Sequence, residues 1–228
     1  MVIKKDNYMS LFPVFLKLTK KKCVVVGAGK IAAAKAAGLL RSDAHVVVVG
    51  PEATEWVQDQ ARAGKLIWHQ REFAADDIAQ AFLVIAATSS SATNEAVFRA
   101  CAAHRVLCNV VDDPERCDFF YPAVVRRGPL QIAISTGGQS PALARRLRTE
   151  LEQQFGPEYG EWVEHVGEMR KQILRQRLTG PGRRRLMDQI ASPESLQEFV
   201  QDRRSAKTQA GQRKRRQLPP VRNDKQVG

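Results

Sequence analysis

Cys23-Val24-Val25-Val26-Gly27-Ala28-Gly29-Lys30-Ile31-Ala32 is a short apolar run that breaks into a glycine-rich turn and resumes as a helix-forming segment. The run is too short for a helix and has the valine-rich character of a strand buried on both faces. The turn reads G-x-G-x-x-A. Gly27 permits the tight bend at the strand exit, and Gly29 carries no side chain where a pyrophosphate would approach the amides of a helix N-terminus. Ala32, in the place of a third glycine, lets helix and sheet lie close together. Glycines end many strands for structural reasons alone, but here a strand pattern precedes the turn and a helix pattern comes after it.

Outward from this turn, residues 1–113 alternate between the two periodicities. Strands are predicted at Cys23–Val26, His45–Val49, Leu66–His69, Leu83–Ala87 and Val106–Val111, and helices near Ile31–Leu40, Thr54–Ala63 and Thr93–Ala103. Strand–helix–strand units at this spacing imply right-handed crossovers and a parallel sheet covered on both faces, an α/β fold of the Rossmann type. Ligands in such sheets sit at the carboxyl ends of the strands. Three of those ends carry polar residues. The second ends in Val49-Gly50-Pro51-Glu52, with no Arg or Lys between Arg41 and Arg62, which favours NAD over NADP. The fourth runs into Thr88-Ser89-Ser90-Ser91 and Asn94, where Thr88 suits both a helix cap and a cofactor contact. The fifth ends in Asp112-Asp113-Pro114, where an aspartate serves either a turn or proton transfer.

Beyond Pro114 the pattern changes. Phe119–Val125 and Leu130–Ser135 read as paired strands joined by Arg126-Arg127-Gly128-Pro129. Thr136-Gly137-Gly138-Gln139-Ser140-Pro141 then opens a helix with Ser140 as N-cap and Pro141 at its first position. Leu143, Leu147 and Leu151 form its apolar stripe. From Glu161 to about Arg204 the chain is helical in character, interrupted at Gly180-Pro181-Gly182. The predicted division is a Rossmann domain at 1–113, a small α+β dimerisation region at 114–150, a helical domain at 151–204 and a disordered basic tail at 205–228.

The net charge of +12 on 228 residues invites a nucleic-acid reading, but half of it lies in residues 205–228, which hold seven basic residues against Asp224 and almost nothing large and apolar. A solvated tail accounts for that composition, so nucleic acid is not expected as a partner. No apolar run reaches the roughly 20 residues that span a bilayer, and no signal peptide is read at the N-terminus. Cys23, Cys101, Cys108 and Cys117 show no C-x-x-C spacing, and His45, His69, His104 and His165 no i, i+4 pair. The expectation is a reduced, cytoplasmic protein with no stable metal site.

The chain resembles the precorrin-2 dehydrogenase family, the dehydrogenase/chelatase module of siroheme synthases. The matching pieces come in order: Phe12-Pro13-Val14-Phe15-Leu16-Lys17-Leu18, Val25-Val26-Gly27-Ala28-Gly29, Val48-Val49-Gly50-Pro51-Glu52, Ala86-Ala87-Thr88, Cys108-Asn109-Val110-Val111-Asp112, and Ser135-Thr136-Gly137-Gly138-Gln139-Ser140-Pro141-Ala142-Leu143-Ala144. They cover about residues 11 to 150. Asn-Val-Val-Asp and then Ser-x-Gly-Gly-x-Ser-Pro is a far more restrictive combination than the glycine turn. The resemblance implies NAD-dependent oxidation of precorrin-2 to sirohydrochlorin, in some members also ferrous ion insertion, by a homodimer.

It also implies roles for particular residues. Gly27, Gly29, Lys30, Ile31, Pro51, Glu52 and Thr88 fall to the cofactor, and Asp112 to catalysis. Asn109, Ser135, Thr136, Gly137 and Arg146 fall to the substrate. Thr136 stands where some relatives carry Ser, and Asp113 leaves open which carboxylate faces the substrate. A ring with several carboxylates calls for cations, so Arg126, Arg127, Arg145 and Arg148 are candidates beside Arg146. No second glycine-rich unit is read after the helical region, so precorrin-2 is expected from another protein. A rival class, a nucleotide-sensing Rossmann module without catalysis, accounts for the turn. It gives no reason for the carboxylate at the fifth strand or for the Ser-Thr-Gly-Gly segment.

Overall fold

A computed structural model describes residues 11–176 and 180–216, without the side chains of 207–216. It divides into two compact units, one spanning Leu11–Tyr121 and the other beginning at Pro122.

The first unit is built on strands β1 (Lys22–Val26), β2 (His45–Val49), β3 (Ile67–His69), β4 (Leu83–Ala86) and β5 (Leu107–Val110), all parallel, in the order β3-β2-β1-β4-β5. Their ends agree with the predicted strands to about one residue. The valine runs behave as their two-residue period requires. Cys23, Val25, Val46 and Val48 face helices α1 (Lys30–Leu40) and α2 (Glu55–Arg62), while Val24, Val26, Val84 and Cys108 face α3 (Ser91–His104). Ala32 and Ala36 are fully buried against the sheet, which confirms the close approach expected of Ala32. Strand order reverses between β1 and β4, so the crevice for a ligand opens at the carboxyl ends of these central strands.

Between β3 and β4 a short 3-10 turn, Ala75–Ile78, holds the buried Asp77. Its carboxylate accepts bonds from Arg71 Nη1 at 2.8 Å and from the Ala74 amide at 2.9 Å. Burial pushes this carboxyl up, but the Arg71 guanidinium, the Ala74 amide and His69 together outweigh it and hold it below the ordinary value. The folded state therefore gains stability from Asp77 above the ordinary carboxylate range and loses it as pH falls through the lower folded-state value. Asp77→Asn is expected to cost about 2 kcal/mol at neutral pH. In urea titrations across a pH series, wild type and variant should converge in acid. Curves that stay parallel to low pH would count against this account.

The sheet edge at β5 is covered by its own chain. Asp118 accepts from the Cys108 amide through Oδ2 and donates its own amide to the Cys108 carbonyl, each at 2.8 Å, and Asn109 bridges to Cys117. Residues 114–121, which the sequence pattern grouped with the dimerisation region, thus pack with the first unit, because an unpaired strand edge needs partners. The expected strand at Phe119–Val125 forms only from Ala123.

In the second unit, β6 (Ala123–Arg127) and β7 (Leu130–Ile134) pair antiparallel. Helices α4 (Pro141–Gln154), α5 (Glu158–Arg175), α6 (Gly180–Ile190) and α7 (Pro193–Arg216) come next along the chain. Gly128 turns the hairpin at φ +53°, where a Cβ would lie 3.1 Å from the Gly160 Cα of α5. Ser140 caps α4 as expected, its Oγ accepting from the Leu143 amide at 3.2 Å. Gly180, at φ +63°, and Pro181 start α6 rather than interrupting a helix, since proline is tolerated in a first turn. α7 runs to Arg216, so the tail expected from residue 205 begins within a helix; Ala, Lys, Gln and Arg favour that state. The rest of that expectation, residues 217–228, lies outside the described residues.

Candidate active site

The dinucleotide turn is built as its sequence demands. Gly27 takes φ +104°, and a Cβ there would sit 2.4 Å from the Ala87 carbonyl oxygen. Its amide donates to Val49 O at 2.7 Å, while the Ala87 amide donates to Val26 O at 2.8 Å, so the turn is stitched to the exits of both neighbouring strands. Gly29 is the N-cap of α1, with no side chain capping the helix and no acidic residue in its first turn. A Cβ on Gly29 would meet nothing within 4 Å. The first amides of an 11-residue helix are thus presented, with the positive end of its dipole, into open space. Lys30 and Ile31 are exposed beside it. This cradle fits a pyrophosphate.

The end of β2 closes on the same turn. A Cβ on Gly50 would come within 3.3 Å of Ala28, and the Thr54 amide donates to Ala28 O at 3.0 Å. Trp68 Nε1 donates to Gly50 O at 2.9 Å, leaving Pro51 and Glu52 exposed just beyond. A cation outside the stretch between Arg41 and Arg62 arrives from β3: Val49 pairs with His69, and Arg71 lies two residues further on. Arg71 is bound to Asp77 and so is committed away from a 2′-phosphate, which keeps the balance toward NAD.

Thr88 is not the cap of α3 but braces the loop ahead of it. Its hydroxyl donates to Asn94 Oδ1 at 2.8 Å and accepts from the Ser90 amide at 3.2 Å, which ties the β4 exit to α3. The cap of α3 itself is Ser90, whose Oγ accepts from the Thr93 amide. Asp112 and Asp113 separate cleanly at the β5 exit. Asp113 is held by Arg116 at 2.5 Å, and Arg116 also reaches Glu95 at 2.6 Å. Asp112 is exposed and adopts φ +63°, a left-handed conformation that Asp tolerates better than most residues.

Asn109, expected to meet the substrate, corrects the sequence reading. It is only 6 % exposed, and its amide donates to Phe119 O at 2.8 Å and toward Cys117 Sγ at 3.2 Å. It locks the covering segment onto β5. The closeness to Asp112 in sequence is misleading because Asn109 lies within β5, under the covering segment, while Asp112 lies past the strand's end in a left-handed turn. Gly27, Gly29, Lys30, Ile31, Pro51, Glu52, Thr88 and Asp112 all come directly after parallel strands and so share the carboxyl edge of one sheet. A further polar residue of the first unit lies in the middle of α1: Lys35 is half-buried with its Nζ over the Tyr121 ring, 3.6 Å from the centroid. Its signal in the sequence was a single charge inside Ile31-Ala32-Ala33-Ala34-Lys35-Ala36-Ala37.

Ser135, Thr136, Gly137 and Arg146 belong to the second unit. Ser135 Oγ accepts from the Gly137 amide at 3.2 Å and Thr136 Oγ1 from the Ser140 amide at 3.1 Å, shaping a loop ahead of α4. Gly137 and Gly138 both take positive φ there. Arg146 is exposed on α4 and pairs with Glu150 at 3.2 Å. Arg127 is structural. Its guanidinium donates to Phe155 O at 2.8 Å and Glu152 O at 2.9 Å, capping the carboxyl end of α4. Among the described residues no cluster of three His, Cys, Asp or Glu could hold a metal ion, and no helix is long and apolar enough to cross a membrane.

Comparison with known proteins agrees with this geometry. Residues 14–123 match a family described as putative NAD(P)-binding, and residues 127–154 match the central region of sirohaem biosynthesis proteins. The chain carries a central region of the sirohaem biosynthesis proteins. Among similar proteins, siroheme synthase of Nitrosospira multiformis is 41 % identical over 181 residues, covering 78 % of this chain and 38 % of its own length. Siroheme synthase 2 of Yersinia enterocolitica is 39 % identical over 188 residues, 82 % of this chain and 40 % of its own length. The chain thus spans about two fifths of these relatives. The solved structure of SirC, a precorrin-2 dehydrogenase, superposes with TM-score 0.70 at 25 % identity, over 84 % of this chain and 98 % of that one. The Rossmann-type sheet, small antiparallel sheet and helical region expected from sequence are the fold shared with that structure.

Proposed function

We propose that this protein is an NAD-dependent dehydrogenase that converts precorrin-2 to sirohydrochlorin. The observation that carries the reading is one sheet edge holding both an uncapped dinucleotide turn and, at the β5 exit, an exposed carboxylate, Asp112, without a bonded partner among the described residues. The similarity to SirC supplies the substrate.

Gly27 and Gly29, with the α1 amides, would hold the pyrophosphate of NAD, and Lys30 and Ile31 would flank it. Pro51, Glu52 and Thr88 would supply its remaining contacts. Bound there, NAD supplies the acceptor for a hydride. The substrate loses a C–H hydride and one proton, giving sirohydrochlorin, NADH and H⁺, and Asp112 takes that proton. Ser135, Thr136, the Gly137 amide and Arg146 bind the carboxylated ring, aided by the positive end of α4. The protein acts as a homodimer in the cytoplasm, a compartment consistent with four free cysteines. Ferrous ion, as a substrate, belongs to the same reading through the family.

The test is an absorbance assay with enzymatically generated precorrin-2 and NAD, and then with sirohydrochlorin and ferrous or cobaltous ion. NADH appearing with sirohydrochlorin supports the dehydrogenase. Tight NAD binding without turnover would indicate a sensor instead, and metal-dependent loss of sirohydrochlorin above the protein-free rate would add the chelatase step.

A further inference from the structure

Arg71 stands closer to the β2 exit than its number suggests. Val49 pairs with His69, and the His69 carbonyl accepts from the Gly50 amide at 3.1 Å and from the Arg71 amide at 2.9 Å. The two backbones therefore meet on one oxygen, and Gly50 leads directly into the exposed Pro51 and Glu52. A guanidinium at this position has the charge and the reach that the 2′-phosphate of NADP requires. Its planar fork is occupied instead. Nη1 donates to Asp77 Oδ2 at 2.8 Å and to the Glu72 carbonyl at 3.0 Å, and Nη2 donates to Asp77 Oδ1 at 2.5 Å.

Asp77 is built to keep that hold. Its side chain is 3 % exposed, whereas that of Arg71, at the rim, is 48 % exposed. The Ala74 amide donates to Asp77 Oδ2 at 2.9 Å. Lys22 Nζ donates to the carbonyls of Asp77 and Ala79 at 3.0 and 2.8 Å, which ties the 3-10 turn to β1. An ion pair between two exposed side chains is readily exchanged for water or a ligand. A guanidinium forked on a buried, backbone-anchored carboxylate is not, because its departure leaves that buried charge uncompensated. A phosphate would have to offset this cost before it could recruit Arg71. The free ribose hydroxyl of NAD demands no such release, and the exposed carboxylate of Glu52 adds like-charge repulsion against the phosphate alone.

We infer that Asp77 sets the preference for NAD over NADP: by holding Arg71 in a two-point ion pair, it withholds the guanidinium at the β2 exit from a 2′-phosphate. This rests on the cofactor site at the Gly27–Gly29 turn and is independent of the substrate.

The experiment is isothermal titration of NAD and of NADP into the full chain, as wild type and as a double-mutant cycle. Asp77→Asn should raise NADP affinity about tenfold, while NAD affinity stays within about twofold and reports that the variant is folded. Arg71→Gln retains an amide donor for Asp77 and should leave both affinities unchanged, since the guanidinium it replaces was already committed. The double variant, in which two amides replace the ion pair, should return NADP affinity to the wild-type value. A gain that persists in the double variant would come from the lost charge of Asp77 rather than from Arg71, and would overturn the inference. So would an Asp77→Asn protein that binds NAD with no gain for NADP, or an Arg71→Gln protein with weakened NADP binding. If Asp77→Asn does not fold, Arg71→Gln decides alone, unchanged NADP affinity supporting the committed guanidinium and weakened affinity refuting it. A wild-type protein that binds neither dinucleotide would overturn the cofactor site as well.

Discussion

Asp112→Asn should reduce NADH formation from precorrin-2 by about 10³-fold, the range expected for loss of a general base, with no change in the unfolding midpoint. The second half of that expectation comes from the structure. Asn is, with Asp and Gly, among the residues that best tolerate the left-handed backbone Asp112 adopts at φ +63°. The side chain is exposed and holds no neighbour in place, so its conversion to an amide breaks no structural contact. Asp113→Asn should give the opposite result: a loss of stability from releasing Arg116, with far less effect on rate. Stopped assays on both variants, paired with denaturation curves, separate the two aspartates. Equal rates for Asp112→Asn and wild type would remove Asp112 from the mechanism.

The second large effect distinguishes two glycines that look alike in the motif. Gly29→Asp should weaken NAD binding by more than about 100-fold, because the carboxylate would occupy the helix end that attracts the pyrophosphate. It should leave stability unchanged or slightly raised: nothing lies within 4 Å of the new Cβ, and Asp is a favourable N-cap. Gly27→Ala, a smaller change, should be far more damaging to the fold. At φ +104° the added methyl would lie 2.4 Å from the Ala87 carbonyl, which belongs to a neighbouring strand exit and cannot move freely. A cost of about 3 kcal/mol is expected from that strain and displacement. Isothermal titration with NAD and thermal unfolding of both variants test the pair. A Gly29→Asp protein that binds NAD normally would mean the cofactor does not use this helix end.

The parallel sheet was legible because each of its strands is a short apolar run, and such runs bury themselves whatever surrounds them. Val24 and Val25 point to opposite faces by the geometry of a strand, so both cores could be anticipated once the strand was recognised. The glycine turn, the α4 cap at Ser140 and the polar ends of the strands were local features and appeared where they were expected. Asn109 was misjudged because its role depends on residues 117–119 folding back across β5, a contact that nothing near Asn109 in the sequence announces. Arg71 was missed for the same reason. It reaches the neighbourhood of the β2 exit only because β3 is parallel to β2, and its commitment to Asp77 appears only once the intervening 3-10 turn is formed.

By itself, then, the order of residues determined the strand–turn–helix units, the sheet they build and the edge at which a dinucleotide would lie, since these depend on backbone periodicity and on what glycine permits. Tertiary structure decided which polar groups at that edge are free. Thr88 and Asp113 have partners, Asn109 is enclosed, Asp112 is left open, and Lys35 of α1 is seated on the Tyr121 ring. Hydrogen bonds and burial between residues far apart in the chain settle that division, and they exist only when the fold has brought those residues together.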